Sequence, residues 1–120
     1  MATNILIVED DDIMGKVTQN YFVKKGYHVD LAIDGQKAME MLQNNSYQLV
    51  VTDLNMPYVN GQQLIEAIKR NKYGKIKIIV MTTMGTEAMI AEIFALGADD
   101  FITKPFKASE LLARAQKLVY

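Results

Sequence analysis

The chain has 120 residues, half of them apolar, and carries 13 lysine and arginine residues against 14 aspartate and glutamate residues. This length suits one compact domain, residues 1–120, and the balanced charge does not favour direct binding of nucleic acid or of an anionic membrane surface. The absence of cysteine excludes a disulfide framework and a thiolate zinc site. The first residues of the chain resemble neither a signal peptide nor a membrane span, so we expect a cytoplasmic protein.

Five short apolar segments have the character of β-strands. In chain order they are Ile5–Val8, His28–Ile33, Leu49–Val51, Ile76–Met81 and Phe101–Ile102. All but the second are nearly continuous apolar runs, which are typical of strands buried on both faces. The second shows partial alternation of apolar and polar residues, which favours a strand nearer an edge of the sheet.

Segments with helical spacing of apolar residues follow the first, second, third and fifth strands. The spaced residues are Ile13, Val17 and Tyr21, then Ala38 and Leu42, then Leu64, Ile65 and Ile68, and finally Leu111, Leu112, Ala115 and Leu118. Turn-forming residues separate these segments from the strands: Gly26, Gly74 and Gly97 where helices would end, and Asp34-Gly35 and Asn60-Gly61 where helices would begin. The pattern is a β-α unit repeated five times.

Alternating strands and helices predict a parallel sheet covered by helices on both faces, because each right-handed crossover places its helix on a face. The fold class is therefore α/β, a doubly wound five-stranded parallel sheet. We expect the strand order 2-1-3-4-5, which is taken from known proteins of this architecture. In such sheets ligands bind at the carboxyl ends of the strands.

Polar residues follow four of the predicted strands at these carboxyl ends. They are Glu9-Asp10-Asp11-Asp12 after the first strand, Thr52-Asp53 at the third, Thr82-Thr83 at the fourth and Thr103-Lys104-Pro105 at the fifth. Because parallel strands end at the same edge of the sheet, acids, hydroxyls and a lysine are expected to meet there. An acidic run is otherwise a common helix start, and we assign that role to Asp11 and Asp12.

Several carboxylates in one cleft repel one another unless a cation or a proton lies between them. Mg²⁺ is the simpler answer, since Asp10, Asp53 and a backbone carbonyl such as that of Asn55 are the oxygen ligands it prefers. Lys104 and the Thr82 hydroxyl would then neutralise a phosphoryl group in transfer. Asp53 is the natural covalent acceptor in such a site.

The segments that carry this chemistry are Val8–Asp11 (VEDD), Thr52–Pro57 (TDLNMP), Val80–Thr83 (VMTT) and Gly97–Phe106 (GADDFITKPF). In order and spacing they closely resemble the signature of response-regulator receiver domains, over about residues 4–119. The resemblance implies a phosphorylation-activated switch of a two-component system. It also implies that the domain is regulatory rather than a metabolic enzyme, although it catalyses its own phosphorylation and slow self-dephosphorylation.

The resemblance further implies the donor and the metal ligands. A sensor histidine kinase or a phosphotransfer protein would donate the phosphoryl group from phosphohistidine to Asp53. Mg²⁺ would bind through Asp10, Asp53 and the Asn55 carbonyl, with Glu9 helping through water. Asn55 and Met84 would flank the path of the attacking water and tune hydrolysis.

In this family the switch involves Thr82, which moves toward the phosphoryl oxygens, and an aromatic residue on the last strand, here Phe101. The output surface would be the face of the fourth helix, the fifth strand and the fifth helix. The nearly all-apolar segment Thr86–Leu96 and the last helix would there contact an output domain or a partner protein. The chain would act as a monomer or as a phosphorylation-dependent dimer in which Asp100 and Arg114 pair. The resemblance also implies a cis peptide bond before Pro105.

Two other classes of protein share parts of this pattern. An aspartyl-phosphate hydrolase of the haloacid dehalogenase kind needs a second aspartate two residues after its nucleophile, where this chain has Asn55. A flavodoxin-like cofactor binder holds phosphate in a polar loop after the first strand, where the run from Glu9 to Asp12 would repel it. His28, the single histidine, is expected to be a surface residue at a strand start.

Overall fold

The computed structural model describes residues 3–56, 59–71, 75–83 and 85–119. Within them, strands and helices alternate along the chain: β1 (Asn4–Val8), α1 (Asp12–Lys24), β2 (His28–Ala32), α2 (Gly35–Asn44), β3 (Leu49–Asp53), α3 (Gly61–Asn71), β4 (Lys77–Thr82), α4 (Glu87–Leu96), β5 (Asp100–Thr103) and α5 (Ala108–Leu118). Pro57, Gly74 and Met84, which enter the sequence predictions, lie outside the described ranges. The helix and strand pattern predicted from the sequence is otherwise confirmed.

The strands form one parallel sheet in the order β2-β1-β3-β4-β5. This confirms the predicted fold class and strand order. The register places Val8 opposite Thr52, and Thr82 opposite Thr103. Strands β1, β3, β4 and β5 therefore end close to one level, and the polar residues that follow them share one edge of the sheet.

The sheet separates two hydrophobic cores, because successive strand side chains point to opposite faces. Leu6 and Val8 of β1 pack with residues of α2, α3 and α4 on one face. Ile5 and Ile7 of the same strand pack with residues of α1 and α5 on the other. A residue's place in this alternation decides on which side of the sheet a functional side chain lies.

Side chains cap the N-termini of the helices that follow the first four strands, at the same edge of the sheet. Asp11, Asp34 and Thr86 accept hydrogen bonds from backbone N–H groups three residues ahead, and Asn60 does the same for Gln63. These bonds satisfy amides that have no partner within the helix. The assignment of Asp11 and Asp12 to a helix start is confirmed, since Asp11 is the cap and Asp12 the first helical residue.

Two of the three residues in the apolar stripe that predicted α1 do not face the core; the third, Tyr21, is partly buried against it. Ile13 is 76% exposed and Val17 is 60% exposed, whereas Gly15, Thr18 and Phe22 are buried. The helix is turned toward the sheet through Gly15, where a Cβ atom would lie only 2.9 Å from the Leu31 side chain. This close approach and the burial of the large Phe22 ring decide the rotation of α1, so an exposed apolar strip is left on the surface.

Two simpler expectations can be compared directly with the structure. His28 is exposed at the first position of β2, as predicted. Ile33 was predicted to be the last residue of this strand, but β2 ends at Ala32 and Ile33 is exposed. Among the described residues, none of the helices has the length and apolar character needed to cross a lipid bilayer.

Candidate functional site

The acids and the lysine of the predicted site lie on one side of the sheet. Glu9 directly follows β1, Asp53 ends β3, and Lys104 directly follows β5. Each stands two residues after a side chain of the core beneath α1 and α5, namely Ile7, Val51 and Ile102. The alternation of strand side chains therefore brings three charged groups to the same face at the carboxyl edge.

The Lys104 ammonium lies between the two acids. Its Nζ atom is 3.0 Å from Glu9 Oε1, 2.8 Å from Glu9 Oε2 and 2.8 Å from Asp53 Oδ2. Glu9 is only 2% exposed and Asp53 is 9% exposed, so these charges have lost most of their contact with water. The lysine backbone is also fixed, because its N–H donates to the Thr82 carbonyl at 2.8 Å.

Burial raises the pKa of the Glu9 carboxyl; the nearby Asp53 charge also raises it, while the bond to Lys104 opposes the change. Burial alone would lower the pKa of the Lys104 ammonium, but its hydrogen bonds to Asp53 and Glu9 outweigh that effect and raise it. Lys104 is therefore protonated at neutral pH. Its charge compensates part of the negative charge at this edge.

Glu9, Asp10 and Asp53 each offer a carboxylate oxygen, and these oxygens lie within 4.8 Å of one another. Asp10 is exposed, so one side of the group is open to solvent. Three carboxylates and one ammonium leave the group with two net negative charges when all are ionised. An all-oxygen donor set with this charge fits a hard divalent cation such as Mg²⁺. Asn55 is exposed and stands two residues after Asp53; its carbonyl as a ligand stays a prediction.

The two residues predicted to take part in a switch lie on the other face of the sheet. Thr82 ends β4 and is 1% exposed, and Phe101 of β5 is half-buried against the core beneath α2, α3 and α4. The Phe101 ring meets that of Phe94 of α4 edge to face, with centroids 6.0 Å apart. The Lys104-Pro105 peptide bond is cis, as the resemblance implied.

Sequence reasoning missed three contacts around Asp53 and Phe101. Phe94 was not singled out, although its pairing with Phe101 follows once α4 and β5 are adjacent. The Thr52 hydroxyl is buried and donates to the Asp53 carbonyl at 2.9 Å. Gly61 was recognised as a turn residue, but its close approach to the Asp53 carbonyl depends on the loop path and leaves no signal in the sequence.

The sequence profile of the response regulator receiver domain matches residues 5–116. Response regulator RR06 of Streptococcus pneumoniae is 34% identical over 116 residues, which are 97% of this chain and 52% of that protein. Transcriptional regulatory protein SrrA of Staphylococcus aureus is 33% identical over 119 residues, 99% of this chain and 48% of that protein. The chain thus spans about half the length of the curated relatives it matches.

Solved structures agree with these sequence matches. Chemotaxis response regulator CheY4 of Vibrio cholerae superposes with a TM-score of 0.92 at 26% identity, covering 98% of this chain and 99% of that one. The receiver domain of TorR, the response regulator of the TMAO respiratory system, gives a TM-score of 0.87 at 33% identity, covering 97% and 95%. The sheet order, the acidic edge and the profile match agree: this chain belongs to the response regulator receiver domain family, the regulatory domains of two-component signalling.

Proposed function

We propose that residues 1–120 form a single receiver domain in which Asp53 accepts a phosphoryl group from the phosphohistidine of a sensor histidine kinase or of a phosphotransfer protein. The observation that carries this proposal is the Lys104 ammonium, 2.8 Å from Asp53 Oδ2 at the carboxyl edge of the sheet. A carboxylate placed beside a fixed cation and further acids suits phosphoryl transfer, in which stabilisation of charge is the main catalytic task.

In the transfer, an Asp53 carboxylate oxygen forms the new bond to phosphorus while the bond from phosphorus to the histidine nitrogen breaks. The bonding electron pair stays on the imidazole. Lys104 is already a donor to Asp53, and its ammonium compensates the charge of the incoming phosphoryl oxygens. Thr82 ends the neighbouring strand β4, and its hydroxyl is the proposed donor to the phosphoryl group.

Asp10, Asp53 and the Asn55 carbonyl are the proposed ligands of Mg²⁺, and Glu9 acts through water. When bound, the cation supplies positive charge beside the phosphoryl oxygens. The donor chemistry of the acidic group supports this choice, because its carboxylate oxygens lie within 4.8 Å of one another and keep an excess of negative charge. Glu9 is held by Lys104 through both carboxylate oxygens, which supports a less direct role for it than for Asp10.

The proposed output surface consists of α4, β5 and α5. Ile93 is the one residue of α4 that is buried, whereas Ala88, Ala91 and Ala95 are exposed and Phe94 is 43% exposed. The helix also carries no lysine or arginine. These features support an apolar contact with an output domain or a partner protein, which phosphorylation at Asp53 would strengthen or weaken.

The same surface bears on the choice between a monomer and a phosphorylation-dependent dimer. Arg114 Nη1 lies 3.2 Å from both Asp100 carboxylate oxygens, and its Nε and Nη2 lie 3.4 Å from Glu110 Oε2, all within one chain. A dimer that pairs Arg114 with Asp100 of a second copy must exchange these contacts. We propose the monomer for the unphosphorylated state and a dimer only after phosphorylation.

Intact-mass spectrometry with acetyl phosphate as a small phosphodonor tests the proposal. The wild-type protein is expected to gain one phosphoryl group in Mg²⁺, and none after chelation or in the Asp53→Asn variant. Asp30→Asn is the matched control, since Asp30 lies on β2 and bonds the Tyr47 hydroxyl at 2.6 Å. No adduct under any condition would reduce the function to phosphorylation-independent binding.

A further inference from the structure

Gly35, the first residue of α2, lies in contact with the backbone that leads into α3. A Cβ atom at this position would overlap the Val59 carbonyl oxygen and would lie 2.8 Å from the Val59 carbonyl carbon. The positive φ angles among the described glycines belong to Gly26 and Gly97, so Gly35 does not need a left-handed backbone. The position therefore requires glycine for lack of space. The obstacle is backbone, which cannot yield by a change of rotamer.

The connection between β3 and α3 is held from its other side by Gly61. A Cβ atom there would lie 2.5 Å from the Asp53 carbonyl oxygen and 2.8 Å from Leu54 Cα. The Gly61 N–H also donates to the Leu54 carbonyl at 2.9 Å. Asn55 directly follows Asp53 and Leu54, which Gly61 contacts, and Val59, four residues further along the sequence, lies against Gly35.

We propose that Gly35 is a positioning residue for the metal site: its missing side chain lets α2 contact Val59 and so fixes where the connection carrying Asn55 lies beside Asp53. This inference rests on the proposed function, because it assigns a consequence for Mg²⁺ affinity. Its physical basis is covalent, since Val59 and Asn55 belong to one short stretch of chain whose reach is limited. Displacing the Val59 backbone therefore displaces the oxygens offered near Asn55.

The test compares Gly35→Ala with the matched control Gly15→Ala. Both changes add a methyl group to a buried helical glycine near a helix start. The atoms nearest to a Cβ at Gly15 belong to the flexible side chain of Leu31, which is far from Val59 in the sequence. Circular dichroism first shows at which temperature all proteins are folded. At that temperature, Mg²⁺ is titrated while the amide signals of Leu54, Asn55 and Gly61 are followed by NMR.

We expect Gly35→Ala to shift these amide signals in metal-free buffer and to weaken Mg²⁺ binding about ten-fold, the range found when groups behind metal ligands are changed. Gly15→Ala should leave the Mg²⁺ affinity unchanged. A role in folding alone would lower the melting temperature without changing the affinity of the folded protein.

Equal Mg²⁺ affinities for wild type and Gly35→Ala would overturn the inference. If the wild type bound no Mg²⁺, the titration would contradict the proposed function, and no loss of affinity could then be measured for Gly35→Ala. The metal-free amide signals would then still decide whether Gly35 positions the connection. If Gly35→Ala did not fold, Val59→Gly alone carries the test, since it frees the same connection from the other side and is expected to weaken Mg²⁺ binding.

Discussion

Lys104 links two acids that would otherwise face each other with little water. Its ammonium bonds both carboxylate oxygens of Glu9 and one of Asp53, and its side chain is only 13% exposed. The pKa of Lys104 is raised by these bonds, and that of Glu9 is raised by burial, so the lysine is the more firmly charged partner. In the metal-free protein, Lys104 therefore has a structural role in addition to the proposed one in phosphoryl transfer.

Lys104→Met should lower the free energy of unfolding in chelator by about 1–3 kcal/mol, because a buried charge loses its partner. Added Mg²⁺ should stabilise this variant more than the wild type, since it supplies the missing positive charge. Urea unfolding with and without Mg²⁺ measures both effects. Lys107→Met is the control, because exposed Lys107 makes no side-chain cap bond. Equal stability of the two variants in chelator would contradict a structural role for Lys104.

At the scale of elements, α4 differs from the other helices that cover the sheet. It buries one side chain, Ile93, and its further contacts include the Phe94–Phe101 ring pair and the bond from Gln62 of α3 to Glu92. By contrast, α5 buries Leu111, Leu112 and Ala115. A helix with few buried apolar contacts opens more readily than its neighbours. This favours α4 as an element that phosphorylation can rearrange at low cost.

Amide hydrogen exchange should accordingly be faster in α4 than in α5. Phe94→Leu should speed exchange in α4 further, since an edge-to-face aromatic pair contributes about 0.5–1.5 kcal/mol beyond the burial of its surface. Exchange in α2 should not change, because Phe94 contacts β5. The measurement is hydrogen–deuterium exchange by mass spectrometry on both proteins. Equal protection of α4 and α5 in the wild type would contradict this view of α4.

Elements were predicted from the sequence more reliably than their contacts. The apolar runs indicated all five strands, and Asp11, Asp34-Gly35 and Asn60-Gly61 indicated the starts of α1, α2 and α3, because both signals are local. The spacing of Ile13 and Val17 indicated α1 but not the face on which it packs, since Gly15 and Phe22 decide that face. The convergence of Asp53 and Lys104 followed from strand ends alone. The bonds of Lys104 to both acids depend on side-chain positions that only the folded chain determines.

For the molecule as a whole, the parallel sheet concentrates acids at one edge. Every strand of such a sheet has its carboxyl end or its amino end at a defined edge, and at the carboxyl edge the following helices begin. The first positions of a helix favour an acid or a hydroxyl. Glu9, Asp10 and Asp53 therefore come together, and their negative charges repel one another. Lys104 compensates one of these three charges. A ligand that binds the folded state alone must stabilise the fold, and above its dissociation constant the stabilisation grows with the logarithm of the ligand concentration.

Mg²⁺ should raise the melting temperature of the wild-type protein in a concentration-dependent way. Asp10→Asn should be more stable than the wild type in chelator, because one repelling charge is gone, and should lose most of the gain from Mg²⁺. Asp30→Asn should keep the gain, since Asp30 is paired with Tyr47 away from this edge. Differential scanning calorimetry measures these differences. A melting temperature that rises equally with Mg²⁺ in wild type and Asp10→Asn would rule out Asp10 as a ligand.

If Asp53 is the phosphoryl acceptor, the modification must lie at residue 53, and its position can be measured. After reaction with acetyl phosphate and Mg²⁺, borohydride reduces an aspartyl phosphate to homoserine, which tandem mass spectrometry of peptides locates. We predict homoserine at residue 53 and unmodified aspartate at residues 10, 11 and 12. Homoserine at one of those three residues, with an intact Asp53, would contradict the account.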